Sequence, residues 1–381
     1  MMKENTLPEG WIFWILDDAV QKWSSNISLN KIKDNNWDYP IFKAKWLEKH
    51  ISFYHQENPY LAIIKDWAGI WRVWIYPAKS SVVWTMQYLI PREWFEINFI
   101  YYFLLWINFE DYRNWSTIPH IYYKDYKNIK FPLINRNEQK RIVKILDEVF
   151  ENLEEAKNIA EENLKNAKDL FDSYLENIFE KKGEDWEEKK LADVCEKITD
   201  GSHNPPKWVE SGWMMLSWRN IWENWLILDK VRFLLHEDFN KENKRTDVQI
   251  DDVLLSIVWT IWRSMVYSKN EPKVTFQRSV ALFKWIKENP HFLNYYFKSS
   301  IFQKILIDES RWVAQKWVYL KTLRELNFIY PRSSEKQKII VGKLDELSNE
   351  IKKIDAVYKE KSEKLEELKK SILERAFAGE L

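Results

Sequence analysis

The chain has 381 residues, with 58 Lys and Arg against 58 Asp and Glu, so it carries no formal net charge. That length allows two domains with separate cores, and the balanced charge excludes a uniformly basic protein that coats nucleic acid. A single cysteine, Cys195, excludes an intramolecular disulfide and points to a reducing compartment. No targeting pattern is visible at the N-terminus, and the most apolar run, Phe99 to Phe109, is too short to span a bilayer. A soluble, cytoplasmic protein is expected.

Residues 1–10 form a polar lead-in. From Trp11 to about Leu133, short β-like runs such as Tyr39-Pro40-Ile41-Phe42, Leu61-Ala62-Ile63-Ile64 and Val73-Trp74-Ile75-Tyr76 alternate with turn residues. Residues 94–107 read as a mostly buried helix. Asn137 is the expected N-cap of a long helix that ends near Phe179, before Lys181-Lys182-Gly183. A second globular stretch opens at Trp186, includes the strand Val253 to Val258, and closes at about Pro331. A second long helix then fills 335–378. The expected domains are 1–135, a helix over 136–182, a second globule over 183–333 and a helix over 334–381.

The two helices are the part most strongly specified by pattern. One apolar seam runs Ile142, Leu146, Val149, Leu153, with Asn163 interrupting and Leu170 resuming it. The other runs Ile340, Leu344, Leu347, Ile351, Ile354, with Lys361 interrupting before Leu365 and Leu368. Alternating steps of four and three are a heptad signature, and each polar interruption reads as a register-setting residue. The runs are related by a shift of 198 residues, which superposes Gln139 on Gln337 and Leu146-Asp147-Glu148 on Leu344-Asp345-Glu346. The globules repeat as well. Trp11, Leu16 and Ala19 correspond to Trp186, Leu191 and Val194, and Ile70-Trp71-Arg72 corresponds to Ile261-Trp262-Arg263. The fold class is therefore α+β: two mixed α/β globules in tandem, each followed by a long helix, with the two helices packed as an antiparallel coiled coil.

Charge is distributed unevenly. The segments 138–182 and 334–381 hold 19 basic and 23 acidic residues, which leaves 39 basic and 35 acidic on the globules. That tilt suits an anionic partner. Tryptophan is anomalous: 23 Trp stand beside only 7 Gly, where glycine ordinarily makes up about 7% of a chain. Many Trp stand where turn chemistry calls for glycine, as in Asn36-Trp37-Asp38 and Asp66-Trp67, since Asn or Asp followed by Gly marks a tight turn. This pattern is expected if UGA glycine codons have been translated as tryptophan. Trp11 and Trp186, which open the two repeats, are expected to be true tryptophans.

The layout resembles the specificity subunits of type I restriction–modification enzymes. The residues that carry the resemblance are Ile198-Thr199-Asp200-Gly201-Ser202-His203-Asn204-Pro205-Pro206, the run Asp251 to Arg263, Glu138-Gln139-Lys140-Arg141-Ile142, and the ending Ile372 to Leu381. In the run Asp251 to Arg263 the family has glycine where Trp259 and Trp262 stand. The first globule lacks the Thr-Asp-Gly-Ser-His string and carries Gln21-Lys22-Trp23-Ser24-Ser25 instead.

The resemblance implies a non-catalytic reader of a bipartite, asymmetric target in double-stranded DNA. Two target-recognition domains would each contact one half-site, and the helices would fix the spacing. Helix 142–178 would be about 55 Å long at 1.5 Å per residue, roughly one and a half turns of duplex at about 34–36 Å per turn. Partners implied are two modification subunits and restriction subunits. S-adenosylmethionine, ATP and Mg would belong to those partners, with no cofactor in this chain and no membrane association. The acid-and-base striped helix exterior, together with Ala376-Phe377-Ala378, is the expected docking surface.

Base and phosphate contacts need basic and amide side chains on loops. The candidates are Lys22, Ser24, Lys43, Lys45, Arg72 and Lys79 in the first globule. In the second they are Ser202, His203, Lys207, Arg219, Asn220, Arg263, Gln277 and Arg278. Each one also fits an ordinary solvated surface position, and Arg72 and Arg263 stand out because they share a repeat position. His203 has no second His, Cys or carboxylate at ligand spacing, so no metal site is expected. No phosphate-binding glycine loop, methyltransferase string or nuclease cluster is found. The alternative reading is a coiled-coil interaction scaffold that binds no DNA.

Overall fold

The structure is a computed structural model that describes residues 8, 10–32, 38–66, 69–114, 119–222, 224–258, 263–310 and 317–381. Trp37, Trp67, Trp259 and the pair Ile261-Trp262 lie outside these residues. The chain divides into two compact units, Met1–Glu161 with Tyr358–Leu381, and Glu162–Val357.

In the first unit, β1 (Ile12–Ile15) pairs antiparallel with β9 (Lys130–Leu133). A four-stranded sheet has the order β2 (Val20–Ser24), β8 (Met86–Pro91), β5 (Tyr60–Ile64), β6 (Val73–Tyr76). A three-stranded sheet has the order β4 (Trp46–Ile51), β3 (Tyr39–Lys43), β7 (Ser81–Val82). All five residues of β5 are buried, as expected of a central strand read from an unbroken apolar run. The helix expected over 94–107 forms at Ile97–Trp106.

The second unit repeats this order. Here β10 (Trp186–Lys190) pairs with β20 (Asn327–Pro331). The four-stranded sheet is β11 (Cys195–Asp200), β19 (Val280–Ile286), β16 (Val253–Ser256), β17 (Ser264–Val266). The three-stranded sheet is β15 (Arg232–Leu234), β12 (Trp213–Leu216), β18 (Thr275–Phe276). A small hairpin joins β13 (Ile221–Trp222) to β14 (Trp225–Leu226). Cys195 is buried, and burial pushes its thiol up to about 12.

The long helices span Arg136–Glu180 and Ser334–Ala378. Their caps correct the expectation at Asn137. Asn135 accepts the N–H of Glu138 at 2.9 Å, and its counterpart 198 residues on, Ser333, accepts that of Lys336 at 3.3 Å. Both helices are pinned at their starts by a buried glutamine. Gln139 Oε1 accepts the Glu96 N–H (2.8 Å) and its amide donates to the carbonyl of Ile134 (3.0 Å). Gln337 accepts from Asn289 (2.9 Å) and donates to Pro331 (2.9 Å).

Each helix also ends in a core, which is why each unit owns half of both. Phe377 packs on Phe99, Phe103 and Trp106 with ring centroids 5.3–5.7 Å apart, all in the first unit. Phe179, its counterpart at the same 198-residue shift, packs on Phe292 and Tyr296 in the second. The expectation that Ala376-Phe377-Ala378 offers itself to a partner is corrected: Ala376 and Phe377 are fully buried. Within each unit the two helix segments run antiparallel. Leu146 shares a core with Leu373, and Leu175 shares one with Leu344.

The seam follows its expected course through Ile142, Leu146, Val149 and Leu153, and through Ile340, Leu344, Leu347, Ile351 and Ile354. Beyond Leu153 and Tyr358 the strict heptad fails. Asn163 and Lys361 are exposed, as are Leu170 (65%) and Leu368 (46%). The inward face instead continues as Lys157, Ala160, Leu164, Ala167, Phe171 and Leu175 in the first helix, and as Ser362, Leu365 and Lys369 in the second. Ile142, Leu153, Leu164 and Leu175 recur every eleven residues, about 3.67 per turn, closer to the 3.6 of an undistorted α-helix than to the 3.5 of a heptad seam. A heptad register drifts by about 20° per repeat on such a helix. Asn163 and Lys361 are therefore solvated residues and do not set the register.

Candidate nucleic-acid interface

The two candidate arginines occupy the same place in their units. The hairpin between β5 and β6 is closed by the Ile64 N–H donating to the Arg72 carbonyl at 2.9 Å. In the second unit the Ser256 N–H donates to the Arg263 carbonyl at 2.8 Å. A central strand thus delivers each guanidinium to the rim of its four-stranded sheet. Arg72 is exposed. Arg263 is half-buried, with its guanidinium 4.2 Å from the Trp222 ring and Nη1 donating to the Ile221 carbonyl at 3.4 Å.

In the second unit the end of β11 turns sharply at Gly201. A Cβ there would stand 2.0 Å from the Phe276 carbonyl oxygen, so only glycine fits. Ser202 N–H donates to that carbonyl (2.8 Å), and Arg278 N–H donates to the Ser202 carbonyl (2.9 Å). The strand end and the β18–β19 turn therefore bring Ser202, His203, Gln277 and Arg278 together. Asp200 is buried and anchors this turn. One carboxylate oxygen accepts from Arg245, and the other lies 3.0 Å from His203 Nε2. Arg245 also donates to the Asp200 carbonyl (3.0 Å). An exposed imidazole tied to a buried aspartate–arginine pair is held in place, which suits a side chain that meets a rigid ligand.

Ser202 is itself buried, so only His203, Gln277 and Arg278 of this group can reach outward. Arg219 and Lys207 are exposed. Asn220 is corrected. It is buried, its oxygen accepts the Ser217 N–H (3.0 Å), and its amide donates to the carbonyls of Ile227 (2.8 Å) and Asp229 (3.4 Å). All its polar capacity goes into bracing the β13–β14 hairpin.

In the first unit Lys22 and Ser24 line an open cleft of about 400 Å³ with Lys65, Lys124, Lys127 and Gln87. Lys43 lines a neighbouring cleft of about 410 Å³ that shares Asp66 with it. Lys45 is exposed on the β3–β4 turn, while Lys79 is 3.8 Å from Glu57. Asp17 and Asp66 line the first cleft as well, 3.8 Å from Lys127 and 3.7 Å from Lys65, so the cleft carries mixed charge in which Lys22 and Lys124 supply the basic surplus that suits phosphate. Sequence reasoning missed Lys65, Lys124, Lys127 and Arg245. Lys124 and Lys127 carried a weak signal in Tyr122-Tyr123-Lys124-Asp125-Tyr126-Lys127, a basic and aromatic string next to a strand. No group of His, Cys, Asp and Glu able to hold a metal ion occurs among the described residues, and no helix there is long and apolar enough to cross a membrane.

A family model described as the type I restriction modification DNA specificity domain matches residues 8–162 and again 183–360. The specificity subunit of type I restriction enzyme MjaVIII from Methanocaldococcus jannaschii is 28% identical over 285 residues, covering 70% of this chain and 65% of that protein. The EcoBI specificity subunit from Escherichia coli is 27% identical over 52% of this chain and 42% of its own length. The chain thus spans less than two thirds of the curated relatives it matches. A chain from a solved structure of the type I R-M system aligns with a TM-score of 0.73 at 17% identity, over 98% of this chain and 99% of that one. The HsdS subunit from Thermoanaerobacter tengcongensis aligns at 0.54 and 16% identity over the full length of both. These two likenesses concern the fold.

Proposed function

The chain belongs to the family of type I restriction modification DNA specificity domains, and from that premise we propose that it reads a bipartite, asymmetric target in duplex DNA for partner subunits that carry out the chemistry. The single observation that carries this reading is duplication with divergence. One sheet order occurs twice and delivers an arginine to the same rim in each unit, yet the surrounding loops differ: lysines around a cleft in the first, and the Asp200–His203–Arg245 cluster in the second. Similar frames with unlike reading loops suit two unlike half-sites.

The partners are two methyltransferase subunits, joined by restriction subunits in a cleaving complex. S-adenosylmethionine, ATP and Mg reside in those subunits, and this chain contributes no catalytic group. Docking falls on the exposed helix faces, where pairs such as Lys353 with Glu350 and Lys364 with Glu360 alternate charge. The assembly works in the cytoplasm. Each 45-residue helix is about 68 Å long at 1.5 Å per residue, so the pair acts as the ruler between half-sites.

The test is selection from random duplex pools by the chain assembled with its modification subunits. Enrichment of one split sequence is expected, and lengthening both helices by eleven residues should widen the gap and leave both half-sites unchanged. Failure to enrich any sequence would overturn the reading, and failure to retain DNA at all would favour an interaction scaffold.

A further inference from the structure

We propose that UGA is read as glycine in the organism that makes this protein, so that the turn and surface tryptophans of this sequence are glycines in the chain as synthesised, while Trp11 and Trp186 are tryptophan. Composition raises the question, with 23 Trp beside 7 Gly, and two structural observations answer it.

Six tryptophans, at positions 37, 67, 115, 259, 262 and 312, lie outside the described residues, and none of the other 17 is buried. The largest fully buried side chains are all Tyr and Phe. Tryptophan is ordinarily a strongly buried residue type. Here Trp46 (74%) and Trp94 (76%) stand almost bare in solvent. Ten of the 17 are exposed, a share that fits surface and turn positions better than a core residue type.

The second observation is the backbone. Trp71 has φ +67° and donates its N–H to the Ile64 carbonyl at 2.9 Å, so the β5–β6 hairpin demands a left-handed residue there. Trp285 has φ +49° within β19, between Lys284 and Ile286, which face Lys197 and Cys195 across the ladder. The ladder keeps one register across this point, so the left-handed residue is a local kink with no inserted residue, a conformation that suits glycine. For a bulky side chain that conformation is an outlier, whereas glycine adopts it freely.

A consequence bears on DNA reading and rests on the function proposed above. The guanidinium groups of Arg232, Arg263 and Arg278 lie 4.5, 4.2 and 4.5 Å from the rings of Trp208, Trp222 and Trp317. With glycine at those three positions the arginines are uncovered and the loop backbone can approach a phosphate closely. Trp186 packs against the core of the second unit. It packs edge-on against Phe179 and Phe292, both at 6.0 Å, in the core where the first long helix ends.

Peptide mass spectrometry of the protein isolated from its own cells, with the coding DNA read alongside, tests this. UGA codons and glycine-mass peptides are expected at positions 71 and 285, with UGG and tryptophan mass at 186. Tryptophan mass at 71 and 285 would overturn the proposal and leave the DNA-reading function untouched. In recombinant protein, Trp71→Gly and Trp285→Gly should each raise the folding equilibrium constant on the order of tenfold by relieving the left-handed strain, while Trp186→Gly should lower it. Equal losses in all three variants would also overturn it.

Discussion

Gln337 Oε1 accepts the backbone N–H of Asn289 at 2.9 Å, across 48 residues of chain and from a fully buried position. The side chain ties the start of the second long helix to the loop before Pro290–Lys298 and to the Pro331 carbonyl at the end of β20. Gln139 makes the equivalent set of bonds in the first unit. Replacing either glutamine with leucine strands a buried N–H and a buried carbonyl. Gln139→Leu and Gln337→Leu should each cost about 1–3 kcal/mol in chemical denaturation. A loss below the error of the measurement would show that the helix starts are held by packing alone.

The two terminal phenylalanines give a sharper test, because each acts in a different unit. Phe377→Ala should destabilise by about 3–5 kcal/mol, and hydrogen exchange should accelerate in Ile97–Trp106 while Pro290–Lys298 stays protected. Phe179→Ala should do the reverse. Equal loosening of both helices by either variant would contradict the assignment of each helix end to its own core.

The seam correction predicts an asymmetry between neighbours. Asn163→Leu and Lys361→Leu should leave stability within about 0.5 kcal/mol, as surface substitutions do. Leu164→Ala, one residue away, should cost about 1 kcal/mol for loss of a half-buried leucine. Stabilisation by leucine at 163 or 361 would restore the heptad register.

Lys284 and Asp252 form an ion pair in which both side chains are almost fully buried. Lys284 Nζ also donates to the Asp247 carbonyl (2.8 Å), and Asp252 accepts the Gln249 N–H (2.8 Å). Lys284→Met leaves a carboxylate uncompensated and should cost about 3–5 kcal/mol, and pairing it with Asp252→Leu should recover most of that. Additive losses in the double variant would mean that the two groups do not act together.

Cys195 reports on the opening of the second unit. Burial raises its thiol to about 12, above the value of about 8.5 for a free cysteine. The folded state therefore holds the proton more tightly, and this contribution to stability is present in full below about 8.5 and lost as pH rises towards 12. At pH 8 iodoacetamide should label the native chain far more slowly than the chain in denaturant. Equal rates would place the thiol in solvent.

The architecture was legible wherever a period is long and the chemistry is blunt: the two helices, the unbroken apolar run of β5, and the arginine repeat. It was not legible where three dimensions decide. A heptad and an eleven-residue repeat agree over the first three steps, so Ile142 to Leu153 could not reveal that Leu164 and not Asn163 turns inward. Asn220 looks like any amide on a loop until its hydrogen bonds to Ser217, Ile227 and Asp229 are seen. Ala376-Phe377-Ala378 looked available because the pocket that receives it is built some 270 residues earlier, at Phe99 and Phe103.

That distance has a consequence during synthesis. The hydrophobic interior of the first unit lacks its Phe377 plug until the ribosome has decoded nearly everything else, so the opening 160 residues emerge with an unfilled aromatic socket at Phe99, Phe103 and Trp106. Chain closure of such long range is slow and leaves nascent material open to aggregation in the meantime, which makes premature termination anywhere in the second helix a lesion of the first globule.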